Sequence, residues 1–196
     1  MTIEEMIKAG IAYRPRKFIT PEIIHSVLVQ ESDLCSTFEK TDKQYRANVS
    51  VAMKLTGKTE AEIVGWATLS NGKIGKFRME PSVFLTLKNK TMEEKFYLAS
   101  SWGLAQKLGY LLMGKSSNVK STILGFAANE PFQVVYCCGD MEAGMQRAYL
   151  SPSVKKKDLK SLAFFAYCAY NGGPSKMITK DPQVLKRAQE VIGRLS

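Results

Sequence analysis

The chain has 196 residues, 45% of them hydrophobic and 23% charged, and its formal net charge is +10. This length suits one folded domain with a real core, and the composition excludes a disordered chain. The positive charge predicts attraction to a polyanion, such as nucleic acid, an anionic membrane face or an acidic wall polymer, without choosing among them.

Two helices are predicted at the start of the chain. Thr2-Ile3-Glu4-Glu5 has the spacing of a capping box, and Gly10 is expected to end the first helix. The second helix opens at Thr20-Pro21, with proline at the first helical position. Its apolar stripe consists of Ile23, Ile24, Val27, Leu28 and Leu34.

Glu31 is the first candidate for chemistry because of its place on the second helix. It lies four residues after Val27 and seven after Ile24, so the helix phase directs its side chain inward. A glutamate at a helix end usually faces solvent, and the phase argues against that interpretation here. A carboxyl group held among apolar neighbours can keep a proton and donate it. The next residue, Ser32, is expected to bond the backbone and hold the turn.

The middle of the chain is predicted to combine helices with one small hairpin. Residues 41–69 read as two helices separated at Gly57-Lys58. Ser70-Asn71-Gly72-Lys73 predicts a turn, and the segment 74–79 alternates like a short strand. Pro81 begins a short helix that is expected to reach Leu87.

Helices are predicted to dominate the remainder. Thr91-Met92-Glu93-Glu94 caps one of them. Others are expected at about 101–113, 117–128, 131–149, 155–170 and 182–194. The predicted fold class is therefore α+β, mainly α, with a helical core and a small β-hairpin in one domain over residues 1–196.

The cysteine and histidine content argues against a zinc site. The four cysteines, Cys35, Cys137, Cys138 and Cys168, show no Cys-x-x-Cys spacing, and His25 is the one histidine. Cys137 and Cys138 are adjacent and have apolar neighbours. Buried free thiols made in a reducing cytoplasm are the expected state. No cofactor is predicted.

Glu80 is a second candidate carboxylate. It lies in Arg78-Met79-Glu80-Pro81, where the proline favours an extended backbone at Glu80 and fixes its position at the exit of the strand. The alternative is a simple ion pair with Arg78 or a neighbouring lysine. Two carboxyl groups, one protonated and one charged, are what cleavage of a glycosidic bond uses.

The run Ser101-Trp102-Gly103-Leu104-Ala105-Gln106 offers neutral hydrogen-bonding groups. Gly103 would let a ligand approach the backbone, while Ser101 and Gln106 could bond sugar hydroxyl or acetamido groups. A helix start with a buried Trp102 is the alternative interpretation.

A third motif lies near the end of a predicted helix. Tyr167, Tyr170 and Asn171 precede Gly172-Gly173-Pro174 and predict an aromatic platform beside a helix-ending turn. A tyrosine at a helix end more often serves packing than catalysis.

These motifs, in this order, resemble the lysozyme-like lytic transglycosylases and muramidases, especially those encoded by bacteriophages. The family shows a Glu-Ser pair ending an apolar helix, an Arg-aromatic-Glu-Pro element, a Gly-Leu-Met-Gln turn and a Tyr-Asn-Ala-Gly-Pro loop. The matching segments here are Glu31-Ser32, Arg78-Met79-Glu80-Pro81, Gly103-Leu104-Ala105-Gln106 and Tyr170-Asn171-Gly172-Gly173-Pro174. The spacing from Glu31 to Glu80 is long for the family and suggests a helical insertion at about 38–70.

The resemblance implies a lysozyme-like fold and cleavage of the β-1,4 bond between N-acetylmuramic acid and N-acetylglucosamine in peptidoglycan. Glu31 would be the catalytic acid/base. Ser32, Ser101, Trp102, Gly103 and Gln106 would contribute to the glycan groove, with Tyr170 and Asn171 near the acetamido group or the acid. A transglycosylase would close an anhydro ring on the muramic sugar, whereas a muramidase would activate water with Glu80.

Two other functions stay open at this stage. One is a non-catalytic, glycan-binding structural protein of the same fold. The other is a basic helical nucleic-acid-binding protein; no recognised motif supports it and the lysines are not gathered on one helix, so nucleic acid is not expected as a partner.

The expected partner is therefore the peptidoglycan glycan strand. Residues 1–11 do not read as a secretory signal, and no segment is long enough for stable membrane insertion. We expect synthesis in the cytoplasm and action on the wall, through a phage pore or as a virion component. No oligomeric state is indicated.

Overall fold

The structure is a computed structural model that describes residues 1–13, 17–114, 116–173 and 177–195. These residues are mainly helical, with two small antiparallel sheets, which confirms the predicted class of α+β, mainly α. The helices are α1 Ile3–Ala12, α2 Pro21–Ser32, α3 Lys43–Thr56, α4 Glu60–Ala67, α5 Pro81–Thr86, α6 Met92–Ala99, α7 Gly109–Leu112, α8 Val119–Ala127, α9 Glu130–Leu150, α10 Leu159–Gly172 and α11 Pro182–Gly193. The strands are β1 Thr37–Phe38, β2 Ile74–Gly75, β3 Phe77–Met79, β4 Ser100–Trp102 and β5 Lys107–Leu108.

The chain divides into two compact units. Unit 1 consists of Met1–Asp33 and Val134–Ser196, and unit 2 is the continuous segment Leu34–Gln133. The single catalytic domain with an insertion at about 38–70 stays a prediction.

The start of unit 1 follows its local signals except at Gly10. The Thr2 side chain accepts from the Glu5 amide and the Glu5 carboxylate accepts from the Thr2 amide, so the predicted capping box is present. Gly10 does not end the helix, which continues to Ala12. A Cβ at Gly10 would lie 3.2 Å from the Cys138 sulfur, so the glycine serves close packing instead.

Helix α2 forms as its sequence predicts. The Thr20 side chain accepts from the Ile23 amide, Pro21 is the first helical residue, and Asp33 ends the helix with a left-handed φ of 52°. The four apolar residues of the stripe inside the helix are fully buried: Ile23, Ile24, Val27 and Leu28. Leu34 was wrongly included, since it follows the helix with a φ of 60° and is half-buried.

The C-terminal helices complete unit 1. Asp181 caps α11 through its carboxylate, which accepts from the amides of Gln183 and Val184. Helix α11 packs on α10 and on α2. Val184, Ala188 and Val191 form its buried face, so the last helix docks on the core of the unit.

The predicted hairpin is replaced in unit 2 by two small sheets. The segment 74–79 is not one strand, because its pairing changes at Lys76. β2 pairs with β1 and β3 pairs with β4, while the Lys76 amide donates to the Ser36 carbonyl and its own carbonyl accepts from the Gly103 amide. The residue between the strands therefore links both sheets.

The helix predicted at about 101–113 is also wrong. Ser100–Trp102 forms β4 between β3 and β5, and helix starts only at Gly109. Phe77, Phe96 and Trp102 pack together in the core of the unit, with ring centroids 5.0–5.7 Å apart. Burial of these rings beside the strand pairing outweighs the local preference for helix.

Two further properties are the burial of the cysteines and the length and hydropathy of the helices. Cys137, Cys138 and Cys168 are buried as expected, whereas Cys35 is exposed because it follows the end of α2. Among the described residues, no helix has both the length and the apolar character needed to cross a bilayer.

Candidate functional site

Glu31 lies in the last turn of α2 and is enclosed within unit 1. Its side chain is only 2% exposed, which confirms the inward direction predicted from the helix phase. The Tyr167 hydroxyl donates to Oε1, and the Arg187 guanidinium lies 3.0 Å from Oε2. Both carboxylate oxygens therefore have a partner, one from α10 and one from α11.

The two partners are held by the packing of their helices. Tyr167 is fully buried, and its ring stacks on that of Tyr170 with 6.2 Å between centroids. Arg187 is three residues after Val184 and one before Ala188, both of which are buried, so it emerges beside the inward face of α11. The side chain of Arg187 is 22% exposed.

The electrostatic environment of the site combines burial with one cation. Burial raises the pKa of Tyr170 well above its usual value, with further contributions from Cys137 and Glu31. Burial likewise raises the pKa of the Cys137 thiol, so both groups are neutral at pH 7. Burial opposes the charge of Arg187, but Glu31 and Tyr167 together outweigh it and the pKa of Arg187 rises.

Further hydrogen bonds join Gln30, next to Glu31, to residues of α11 around Arg187. The Gln30 amide nitrogen donates to Glu190 at 2.8 Å, and its oxygen accepts from Arg194 at 2.9 Å. The backbone carbonyl of Gln30 also accepts from Arg187 at 3.4 Å. These bonds join the end of α2 to α11 and fix the helix that carries Arg187.

The other predicted residues of unit 1 surround this cluster. Ser32 is buried, and its hydroxyl donates to the Leu28 carbonyl at 3.1 Å, so it bonds the backbone as predicted. Tyr170 and Asn171 are half-buried in the last turn of α10, which runs on to Gly172. Pro174 of the predicted loop lies outside the described residues.

Glu80 lies in unit 2, immediately before α5. Its Oε1 accepts from Arg78 Nε at 3.1 Å, with 39% of the Arg78 side chain and 35% of the Glu80 side chain exposed. This is the ion pair that the sequence offered as the alternative to a catalytic role. Such a half-exposed pair contributes about 0–1 kcal/mol to stability.

Ser101 and Trp102 occupy buried positions of β4. Ser101 pairs with Arg78 on one side and with Leu108 on the other. The Trp102 ring is fully buried, and its indole N–H donates to the Tyr97 carbonyl at 3.0 Å. The structure gives Trp102 a packing role, because no face of its ring reaches the surface.

The Gly103–Gln106 turn is present, but a side chain of the same unit fills the space beside its glycine. Gly103 has a φ of 69°, and a Cβ there would lie 2.1 Å from Gln133 Oε1. That oxygen accepts from the Leu104 amide, while Gln133 Nε2 donates to the Phe126 and Ala127 carbonyls at 2.9 Å. Gly103 therefore admits Gln133 where the sequence predicted a ligand.

Gln106 completes the same turn from inside. Its Nε2 donates to the Gly103 carbonyl at 2.8 Å, and its own φ is 42°. The side chain is buried, so its amide serves the turn in this structure.

Sequence reasoning missed Arg187 and undervalued Tyr167. The signal for Arg187 was available in part, because a cation three residues after Val184 must lie near the buried face of α11. The signal for Tyr167 was its spacing of three from Tyr170, which puts both rings on one side of α10.

Comparison with family models, curated proteins and solved structures finds no match to this chain. Within the part of the chain that the structure describes, no group of three or more His, Cys, Asp or Glu side chains could hold a metal ion. The arrangement around Glu31 consists of one enclosed carboxyl group with tyrosine and arginine as its hydrogen-bond donors.

Proposed function

We propose that the protein cleaves peptidoglycan glycan strands at the β-1,4 bond between N-acetylmuramic acid and N-acetylglucosamine, acting as a lytic transglycosylase. The observation that carries the proposal is the enclosed Glu31 carboxyl group, bonded by Tyr167 at the end of an apolar helix. The order of motifs that resembles the lysozyme-like family supports it, as does the net charge of +10, which favours encounter with an acidic wall.

In the proposed reaction Glu31 acts twice. Its carboxyl proton passes to the glycosidic oxygen as the bond from that oxygen to C1 of the muramic sugar breaks. The resulting carboxylate takes the proton of the muramic C6 hydroxyl while that oxygen bonds C1. The product is a 1,6-anhydro sugar, and Glu31 regains its proton without consuming water.

Two alternatives have specific observations behind them. A hydrolytic muramidase would use Glu80 to activate water, and Glu80 is held at a fixed position by Pro81 and Arg78. A non-catalytic glycan-binding protein is favoured by the contacts of Glu31. Both of its carboxylate oxygens have a partner within the protein, as they would in a structural ion pair.

The test uses Glu31→Gln with Glu22→Gln as the matched control, since Glu22 is an exposed glutamate on the same helix. Turbidity of outer-membrane-permeabilised cells is expected to fall with wild type and with the control. Glu31→Gln should be slower by at least about 100-fold, the usual contribution of general acid–base catalysis. Equal rates for Glu31→Gln and wild type would remove the proposal.

Product analysis separates the chemical alternatives. Mass spectrometry of digested wall material should show anhydromuramic ends, whereas reducing muramic ends would assign a hydrolase and direct attention to Glu80. Saturable binding to purified sacculi without any loss of turbidity would identify the non-catalytic alternative.

A further inference from the structure

The ion pair between Arg187 and Glu31 has a consequence for the proton that the proposed function needs. The guanidinium lies 3.0 Å from Oε2 of a carboxyl group whose side chain is 2% exposed. An opposite charge at this distance stabilises the carboxylate over the neutral carboxylic acid. The described arrangement therefore suits a base and opposes an acid.

We propose that Arg187 is a positioning residue that keeps Glu31 ionised and shielded at rest, so that cleavage starts only when the guanidinium leaves the carboxyl group. This inference rests on the proposed function and adds a built-in restraint to the same site. Without Arg187, the enclosure of Glu31 would favour the neutral acid, because burial penalises an unpaired charge.

Among the described groups that act on Glu31 or on its neighbours, Arg187 is the positively charged one. From α10 come Tyr167 and Tyr170, and from α9 come Cys137 and Asp140. Tyr170 and Cys137 are neutral because burial raises their pKa values, and Asp140 adds negative charge. Removing the guanidinium leaves no opposite charge in this set, so the effect of the substitution is specific.

The contacts of Arg187 allow it to leave. Its side chain is 22% exposed, so solvent reaches it, and its bond to the Gln30 carbonyl is long at 3.4 Å. Its remaining partners are the two groups of the site itself, Glu31 and Tyr167. Helix α11 does not depend on this pair alone, because Val184, Ala188 and Val191 hold it to the core. The side chain can therefore move while the helix stays in place.

The experiment compares Arg187→Met with Lys186→Met. Lys186 is exposed and adjacent on α11, so its variant loses the same formal charge away from Glu31. The Glu31 carboxyl signal is assigned by carbon-13 NMR against Glu31→Gln and followed with pH in each protein. Because Arg187→Met removes the cation 3.0 Å from Oε2, the midpoint should be higher than in wild type, whereas Lys186→Met should leave it unchanged.

Activity supplies the second measurement. The pH–rate profile of wall turbidity loss should move to higher pH in Arg187→Met, with a rate at pH 7 about tenfold or more above wild type. Arg187→Lys keeps a cation and should retain the wild-type profile. A merely structural role for Arg187 would lower stability without moving the profile. Arg187→Gln gives a second neutral variant should the methionine variant fail to fold.

The possible failures are distinguishable. An unchanged carboxyl titration in Arg187→Met and Arg187→Gln overturns the restraint, even if the wild type cleaves peptidoglycan. A titration that moves while the pH–rate profile does not also overturns it. A wild type with no activity at any pH, and no difference from Glu31→Gln, removes the proposed function whatever the titration shows.

Discussion

Gly103→Ala tests whether the Gly103 turn exists to admit Gln133. The left-handed φ of 69° costs an alanine about 1 kcal/mol. The new Cβ would also lie 2.1 Å from Gln133 Oε1 and 2.6 Å from its Cδ, which forces the amide away. Gln133 then loses three hydrogen bonds, to Leu104, Phe126 and Ala127, worth about 1 kcal/mol each. Gly103→Ala should therefore lower the free energy of unfolding by about 4 kcal/mol in total.

Gly57→Ala is the matched control. Gly57 has the same φ of 69°, lies in the same unit, and has no atom within 4 Å of the added Cβ. Gly57→Ala should therefore lose only about 1 kcal/mol of unfolding free energy, the cost of a left-handed backbone at alanine. The difference of about 3 kcal/mol between the two variants isolates the collision with Gln133.

Urea denaturation followed by tryptophan fluorescence measures this difference. Both tryptophans of the chain, Trp66 and Trp102, lie in unit 2, so the signal reports the unit that carries the substitutions. Equal losses of unfolding free energy in Gly103→Ala and Gly57→Ala would refute the reasoning. The earlier interpretation, in which Gly103 lets a ligand approach the backbone, would then stand again.

Two further predictions concern side-chain hydrogen bonds elsewhere in the chain. Glu142→Ala should cost unit 1 about 2 kcal/mol in urea denaturation, because the carboxylate accepts from the backbone amides of residues 17–19; a loss below about 0.5 kcal/mol would contradict this. Burial and the bond to Glu60 raise the pKa of Tyr45 to about 12. The folded protein then keeps a proton that the unfolded chain releases near pH 10, so this stability is complete below about pH 10 and is lost as the pH rises through about 12. Between those values the urea midpoint of wild type should fall more steeply than that of Tyr45→Phe, and parallel curves would disprove the assignment.

Helix α2 shows what local sequence can predict in this chain. Its first residue, its buried stripe and the direction of Glu31 all follow from signals within about a dozen positions, namely a cap, a proline and a helical period. The same kind of signal predicted the capping boxes at Thr2 and Thr91. In each case the energy that decides the structure comes from neighbours along the chain.

The predictions are wrong where contacts between distant segments of the chain determine the structure. Ser100–Trp102 becomes a strand because Phe77–Met79 pairs with it, and nothing within the segment predicts that partner. Gly103 carried a correct signal for close approach, but the approaching group, Gln133, lies 30 positions along the chain (133 − 103 = 30). The bond from Tyr167 to Glu31 spans 136 positions, so no spacing rule could have assigned it.

The division of the chain also determines when the Glu31 site can assemble. Unit 2 is one continuous stretch, so all of it is synthesised before the second segment of unit 1 begins. Unit 1 joins the first 33 residues to a segment that starts at Val134, and Arg187 is near the end of that segment. A nascent chain therefore carries Glu31 without its counter-ion until α11 has been made, because Arg187 lies on that helix.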